Sequence, residues 1–262
     1  CYKIYFMPRF ITALFCVFLI ACQSDPKTSI QIVDGKERTI DYTEFQNLLK
    51  KTGYTDFKAG ELNVSTGKLV ILDPVFIENS ILLDKLAPTG KFPVYLFFTD
   101  CDLGYRIAYS MVQFKEGIPS KWEFALMDSA NRSKSKEALG TVKSGAGILG
   151  FADKSATKLF YRQKSGFEAM HPSLNFYQDV LSIAFNKNGG NPNGSLSGGD
   201  WTNFYPLEQK NENLIISSTG VGNNTFPAYW GLDENGSPMQ LVIDFKLFEN
   251  EEELMEIYNK KY

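Results

Sequence analysis

Residues that build disulfides, metal centres and nucleophilic active sites are scarce in this chain. Its 262 residues include four cysteines and one histidine, His171. The sequence contains no zinc-protease motif, no P-loop and no Ser–His–acid order. Basic residues do not outnumber acidic ones, and the formal net charge of −3 argues against a nucleic-acid partner. We therefore predict no metal, no cofactor and no nucleic acid as ligands.

Long hydrophobic runs are equally scarce, and the one that stands out lies near the N-terminus. Residues 10–20 are apolar apart from Thr12, follow the basic Arg9 and are too short to span a bilayer. Ala21 then places a small residue directly before Cys22. This order resembles the lipobox of bacterial lipoproteins. The resemblance implies cleavage before Cys22 and a diacylglycerol on its thiol; an ordinary secretory signal with a chance cysteine is the alternative.

Lipidation of Cys22 would decide where the protein works. It implies a lipid-anchored protein of the cell envelope that faces the periplasm or the cell exterior, with the membrane as its first partner. Gln23 after the cysteine favours the outer membrane where a cell has one. Cys101 then remains the only free thiol of the mature chain, which excludes an internal disulfide. Met7 is an alternative start of translation.

Alternating apolar residues predict a fold built mainly from β-strands. Residues 122–127 alternate as a half-buried strand, and residues 62–72 have the pattern of a hairpin that turns at Ser65–Gly67. Asp233–Gly236 is a second hairpin turn. Because the strands come in runs, we predict an α+β fold of mainly antiparallel, sandwich-like β-sheet with a few short peripheral helices.

Five segments predict helices, and the last two are 174–185 and 251–258. Asp41 can cap a short amphipathic helix, Asp73 with Pro74 can start another, and a third follows near 154–162. The chain then divides into three parts: a signal peptide (1–21), a lipidated N-terminus and tether (22–38), and a single globular β-rich domain (39–262).

Four segments rich in glycine and aromatic residues follow one another along the domain. They are 60–74 (GELNVSTGKLVILDP), 92–108, 142–153 (with KSGAG) and 217–245 (with SSTGVG and YWGLDENG). Their order resembles that of DUF4241, a bacterial family of unknown function, over about 60–245. The resemblance implies a fold unit shared among bacteria and carries no particular reaction.

Gly145, Gly147 and Gly150 match the spacing of a dinucleotide-binding fingerprint. That site requires a buried strand before the glycines and a βαβ unit around them. The preceding segment carries Lys143, and no βαβ pattern surrounds it. Glycines that turn between two strands explain the motif better.

Charged residues embedded in apolar surroundings are the best sequence-based candidates for a site. Asp73, Arg106, Asp153 and Asp244 stand in such segments and need partners there. One hypothesis is a polar pocket in which Arg106 meets Asp153. The alternative is structural, with the acids as helix caps or strand-end ion pairs.

Aromatic residues in the last third suggest a second candidate. Trp201, Tyr229 and Trp230 lie beside glycine-rich turns and would suit a binding surface for sugars or peptide side chains. The alternative is that these residues belong to the core.

These observations lead to three functional hypotheses. The first is a membrane-anchored extracytoplasmic lipoprotein that acts as a binding module for an unknown protein or glycan, including an immunity-like role that neutralises a protein toxin. The second is a carboxylate-dependent hydrolase of an envelope polymer, with Asp73 or Asp153 in a cleft that brings two acids together. The third is a purely structural surface protein, which predicts no concave pocket.

Overall fold

A computed structural model describes residues 27–50, 53–101, 104–128, 140–188 and 199–247. The predictions for the signal peptide, for Cys22 and for a helix at 251–258 lie outside these ranges. Within them, no helix has the length and apolar character needed to cross a bilayer.

The larger of two main β-sheets is antiparallel throughout. Its strand order is β3-β6-β7-β14-β13-β8, and β9 also pairs with β13. The strands are β3 (Thr55–Val64), β6 (Gly90–Cys101), β7 (Gly104–Gln113), β8 (Lys121–Phe124), β9 (Thr141–Ser144), β13 (Asn224–Leu232) and β14 (Pro238–Asp244).

The smaller sheet has five strands, also antiparallel, in the order β11-β12-β10-β4-β5. They are β4 (Lys68–Leu72), β5 (Ile81–Leu86), β10 (Ile148–Asp153), β11 (Trp201–Phe204) and β12 (Leu214–Ser218). A turn of 3-10 helix, Ile77–Asn79, joins β4 to β5.

The smaller sheet lies between the larger sheet and a layer of helices. Alternate residues such as Ile71 and Phe151 share a core with the larger sheet. Their neighbours Val70 and Ala152 belong to a second core with Phe160. That residue lies on α2 (Lys154–Met170), and a π-helical turn, Tyr177–Leu181, leads into α3 (Ser182–Asn188). The result is a three-layer arrangement of sheet, sheet and helices.

An N-terminal unit covers the larger sheet from outside. Strands β1 (Thr28–Val33) and β2 (Lys36–Asp41) pair as a two-stranded ribbon that contacts β8. Helix α1 (Thr43–Lys50) follows. The ring of Phe45 on α1 lies 4.9 Å from that of Tyr229 on the sheet. Strand β1 lies within the range 22–38 that was predicted as a tether, and the ribbon buries Val33 and Ile40 against the rest of the domain.

The predicted fold class is confirmed, since strands dominate and the helices are few and peripheral. The backbone N–H of Thr43 donates to the side chain of Asp41 at the start of α1, as predicted for a helix cap. Asp233–Gly236 forms the predicted turn between β13 and β14. The helix predicted after Asp73 is wrong. Ile81–Leu86 forms an edge strand there, because its backbone pairs with β4 in an antiparallel ladder.

The hairpin predicted around Ser65–Gly67 is also wrong. Its two strands, β3 and β4, belong to different sheets and do not pair with each other. The turn instead carries the chain from the larger sheet to the smaller one.

Candidate functional site

Asp73 is a fully buried carboxylate that holds a turn together. One of its oxygens accepts hydrogen bonds from the backbone N–H groups of Val75 and Phe76, both at 2.9 Å. The other accepts from the backbone N–H of Gly145 at 2.7 Å. The side chain thus ties the end of β4 to the turn between β9 and β10, and backbone amides satisfy its charge.

Asp153 performs a similar task at the start of α2. It is fully buried and accepts from the backbone N–H of Ser155 at 2.8 Å, which makes it the helix N-cap. It also accepts from Thr66, through the backbone N–H at 2.9 Å and the hydroxyl at 2.8 Å. Asp153 therefore fixes the turn between β3 and β4 against the helix.

Four short turns carry the chain between the two sheets, at 65–67, 87–89, 145–147 and 219–223. Gly145 and Gly147 of the dinucleotide fingerprint lie at the turn 145–147, as predicted for glycines that turn between two strands, whereas Gly150 lies in β10. At the turn 219–223, Gly220 has a φ of +73°, and a Cβ there would lie 2.2 Å from the carbonyl oxygen of Ile107. Glycine is required at this position for close approach of the two backbones.

The structure does not gather Asp73 and Asp153 in one cleft. In the ladder between β4 and β10, Asp153 lies opposite Leu69, whereas Leu72, next to Asp73, lies opposite Gly150. The two carboxylates therefore stand at opposite ends of the ladder and share no hydrogen-bonding partner. This removes the acid pair on which the hydrolase hypothesis was built.

The remaining members of the predicted polar pocket lie elsewhere. Arg106 is on β7, and the acid it influences is Asp200: burial raises the pKa of Asp200, while a hydrogen bond from Ser218 and the positive charge of Arg106 oppose that rise. Asp244 ends β14 and accepts from the backbone N–H of Lys246 at 2.8 Å. Asp153 instead accepts from Thr66 and Ser155, and the charge of Arg106 acts on Asp200. Sequence analysis missed Asp200 because it closes an Asn/Gly/Ser-rich stretch.

The predicted aromatic surface is part of the core. Trp230 is fully buried and Tyr229 nearly so. Trp201 is half-buried, with its ring 5.2 Å from that of Phe57. Tyr229 and Trp230 are buried because β13 lies inside the larger sheet. Helix α1 covers the face that carries Tyr229, and the side chain of Trp230 points to the opposite face.

A cavity of about 200 Å³ lies where α1 meets the end of β14. Its polar lining includes Glu44, Tyr109 and Asp244. The hydroxyl of Tyr54 donates to Glu44 at 3.1 Å. Burial and the nearby carboxylates raise the pKa of both phenols, so they stay protonated and act as hydrogen-bond donors. The donors and acceptors of this cavity mostly satisfy one another.

A second cavity, of about 340 Å³, is a groove between the β4–β5 pair and α2, which we call the lysine groove. Its floor is apolar and its rim is polar. It is lined by Val70, Ile77, Ser80, Leu82, Met127, Lys154, Thr157, Lys158 and Tyr161.

Two lysines on the rim of the groove have no acidic partner in the described part of the chain. Lys154 and Lys158 are one turn apart on α2, so their side chains project from the same face. Several other lysines do lie within 3.5 Å of a carboxylate: Lys58, Lys85, Lys115, Lys121, Lys164 and Lys246. The groove therefore carries two positive charges that no carboxylate of the described residues compensates.

Tyr161 adds a hydrogen-bond donor to the same rim. Burial raises the pKa of this phenol, a hydrogen bond with Ser80 opposes the rise, and the negative charge of Asp73 adds to it. The phenol consequently stays neutral and can donate. Two lysine ammonium groups and the Tyr161 hydroxyl therefore lie beside an apolar floor. This arrangement fits a ligand that has an anionic group next to an apolar group.

A model of the family described as protein of unknown function (DUF4241) matches residues 62–243. No curated protein and no solved structure matches the chain. The matched range contains every residue that lines the lysine groove and all four of the turns between the sheets.

Proposed function

The chain belongs to the DUF4241 family of proteins of unknown function, and from that premise we propose that it is a membrane-anchored extracytoplasmic binding module. Acylated Cys22 is the proposed anchor, and the lysine groove is the proposed ligand site. The observation that carries the proposal is the pair Lys154 and Lys158, which no described carboxylate neutralises, beside the hydroxyl of Tyr161 and over an apolar floor.

The two parts of the groove make different contributions to binding. Solvent-exposed ion pairs with lysine add up to ~1 kcal/mol each and mainly steer and orient a partner. Burial of apolar surface on Ile77, Leu82 and Met127, which are partly exposed, supplies most of the affinity, at about 25 cal/mol per Å². A ligand with acidic and apolar groups side by side uses both.

An acidic segment of a protein fits this description better than a glycan. Sugar rings stack on exposed aromatic faces, and the aromatic residues that were candidates for this role, Trp201, Tyr229 and Trp230, belong to the core. The apolar floor of the groove, made of Val70, Ile77, Leu82 and Met127, has no aromatic ring. An immunity-like role, in which the groove holds an acidic patch of a protein toxin, is one form of this function.

The rival hypotheses lose their specific support. A hydrolase that used Asp73 or Asp153 would need a carboxylate free to meet substrate, and backbone amides and hydroxyls engage both. A purely structural surface protein predicts no concave pocket, whereas the described residues enclose the lysine groove.

Photo-crosslinking tests the ligand site. A photoreactive phenylalanine analogue replaces Lys158 in the acylated full-length protein, and a matched variant carries it at the exposed Lys210. After illumination in envelope preparations, we expect an adduct at position 158 with one dominant acidic protein, identified by mass spectrometry, and none at 210. Equal labelling at both positions, or none at either, would contradict a site in the groove.

The anchor has its own test. We expect the wild-type protein to incorporate labelled fatty acid and to sediment with membranes, and the Cys22→Ser variant to do neither. A Cys22→Ser protein that is still acylated and membrane-bound would refute the anchor and leave the groove unaffected.

A further inference from the structure

The ribbon of β1 and β2 exposes its largest apolar side chains to solvent. Ile30 is 61% exposed and Ile32 is 70% exposed. On the opposite face of the ribbon, Val33 and Ile40 are almost fully buried. A strand that covers a core normally points its polar residues outward. Here two neighbouring outward positions of β1 carry isoleucine.

The orientation of the ribbon is fixed by polar contacts on its inner face. The hydroxyl of Ser29 donates to the carbonyl oxygen of Trp122 at 2.6 Å, and the backbone N–H of Phe124 donates to the side chain of Gln31 at 2.7 Å. Because successive side chains of a strand alternate, these contacts force Ile30 and Ile32 away from the domain.

The distance along the chain places this ribbon close to the proposed lipid. Only five residue steps separate Cys22 from Lys27, the first described residue. Even a fully extended chain spans at most about 18 Å over five residues. An acylated Cys22 therefore holds the start of β1, and Ile30 two residues later, within reach of the bilayer surface.

We propose that Ile30 and Ile32 form a membrane-contacting surface that rests on the lipid headgroup region and orients the domain. The inference rests on the proposed anchor at Cys22. The partner is a lipid surface, since the anchor brings one to this face and a pair of exposed isoleucines gains free energy by entering an apolar interface.

The depth of the contact is limited by the residue across the ribbon. Glu37 pairs with Ile32 and Thr39 pairs with Ile30, so both lie on the same face as the isoleucines. Burial of the Glu37 carboxylate in hydrocarbon would be unfavourable. The ribbon therefore lies at the headgroup boundary and does not insert into the acyl core.

Depth-dependent fluorescence quenching tests this surface. Single cysteines replace Ile30 or Ile32 in a Cys101→Ser background, and an environment-sensitive fluorophore is attached. Ile183→Cys is the matched control, because Ile183 is also an exposed isoleucine (49%) but lies on α3, which packs on β11. Strand β11 forms the edge of the smaller sheet opposite β5.

The acylated variants are reconstituted in vesicles of phosphatidylethanolamine and phosphatidylglycerol that carry nitroxide-labelled lipids. We expect headgroup-level nitroxide to quench the labels at 30 and 32 several-fold more than the label at 183, with weaker quenching from mid-chain nitroxide. Equal quenching at 30, 32 and 183, with Cys22 shown by mass spectrometry to be acylated, would overturn the surface alone. An unmodified Cys22 would overturn the anchor and, with it, this inference.

A second copy of the chain is the competing occupant, because an exposed strand edge can also pair with another ribbon. In that case the labels at 30 and 32 would shift in emission without quenching by nitroxide lipid. The detergent-solubilised protein would then have twice the monomer mass in multi-angle light scattering. That combination would also overturn the membrane contact.

Discussion

Asp153 and Lys154 are adjacent in sequence, yet one charge is buried and hydrogen-bonded and the other lies on the rim of the groove. The carboxylate of Asp153 is fully buried and accepts hydrogen bonds from Thr66 and Ser155. The ammonium group of Lys154 lies on the rim of a groove with no acid beside it in the described structure. A buried charge with a full set of donors has a structural role, whereas an uncompensated charge beside an apolar floor is free to meet a ligand.

The same contrast separates the turns from the groove. The family-matched segments contain the glycines and acids that let the chain pass between the two sheets, and Asp73 and Asp153 hold two of those turns closed. Changes at the turns should therefore affect the free energy of unfolding, and changes on the groove rim should affect binding.

The largest effect is expected at the turn 219–223. The Gly220→Ala variant must relieve a contact with the backbone of Ile107 and adopt a positive φ, which together should reduce the free energy of unfolding by about 4 kcal/mol. Gly222→Ala is the control, because its φ of +85° is similar but nothing lies within 4 Å of the added Cβ. We expect this control to lose about 1 kcal/mol in urea denaturation. Equal losses would show that close approach does not decide the first result.

Removal of the buried cap comes next. Asp153→Ala leaves the amides of Thr66 and Ser155 without an acceptor, and we expect a loss of about 3 kcal/mol in the free energy of unfolding. Asp153→Asn keeps one acceptor oxygen and should lose less. Chemical denaturation measures both variants. A loss below that of an ordinary surface substitution would mean that Asp153 is not a structural acid.

A smaller, pH-dependent effect is expected at Asp200. Its pKa is raised in the folded state, so the folded protein binds this proton more tightly than the unfolded chain does. The resulting stability is present below the ordinary pKa of 3.8 and is lost as pH rises through the folded pKa. Relative to Asp200→Asn, the wild-type protein should therefore gain stability as pH falls from neutral towards 4. A difference that does not change with pH would contradict this assignment.

The smallest effect on stability is expected at the groove rim. The double variant Lys154→Glu, Lys158→Glu should change the free energy of unfolding by less than about 0.5 kcal/mol, since exposed surface substitutions rarely do more. Lys154 is the first residue of α2, where a negative charge even favours the helix dipole. Thermal unfolding measures the change. A large loss in the free energy of unfolding would mean that these lysines have a structural role, as Asp153 does, and would contradict the proposed difference between them.

The sequence predicted the fold class because alternation of apolar residues is a local signal. It did not predict that the chain crosses between sheets at Ser65–Gly67, since the same turn residues serve a hairpin and a crossing. Nor did clustered aromatic residues reveal their burial, because exposure of Tyr229 and Trp230 depends on which strands flank β13 and on α1.

The lysine groove could not be predicted from the sequence either, because it also depends on tertiary contacts. Lysines four residues apart on a helix are typical of any solvated helix face. Their significance arises only when β4 and β5 place Val70 and Leu82 beside them, and when the acids nearby in sequence, Asp73 and Asp153, are already engaged. The helix near 154–162 was predicted correctly, but its neighbours are set by tertiary contacts.

The most direct test of the contrast between structural acids and ligand-binding lysines is the dissociation constant of the crosslinked partner. The purified partner is titrated against the wild-type protein, the Lys154→Glu, Lys158→Glu variant, and a control with Lys187→Glu and Lys210→Glu. We expect the groove variant to lose about 2 kcal/mol, or roughly thirtyfold in Kd, and the control to bind like the wild-type protein. Equal dissociation constants for all three proteins would contradict the account.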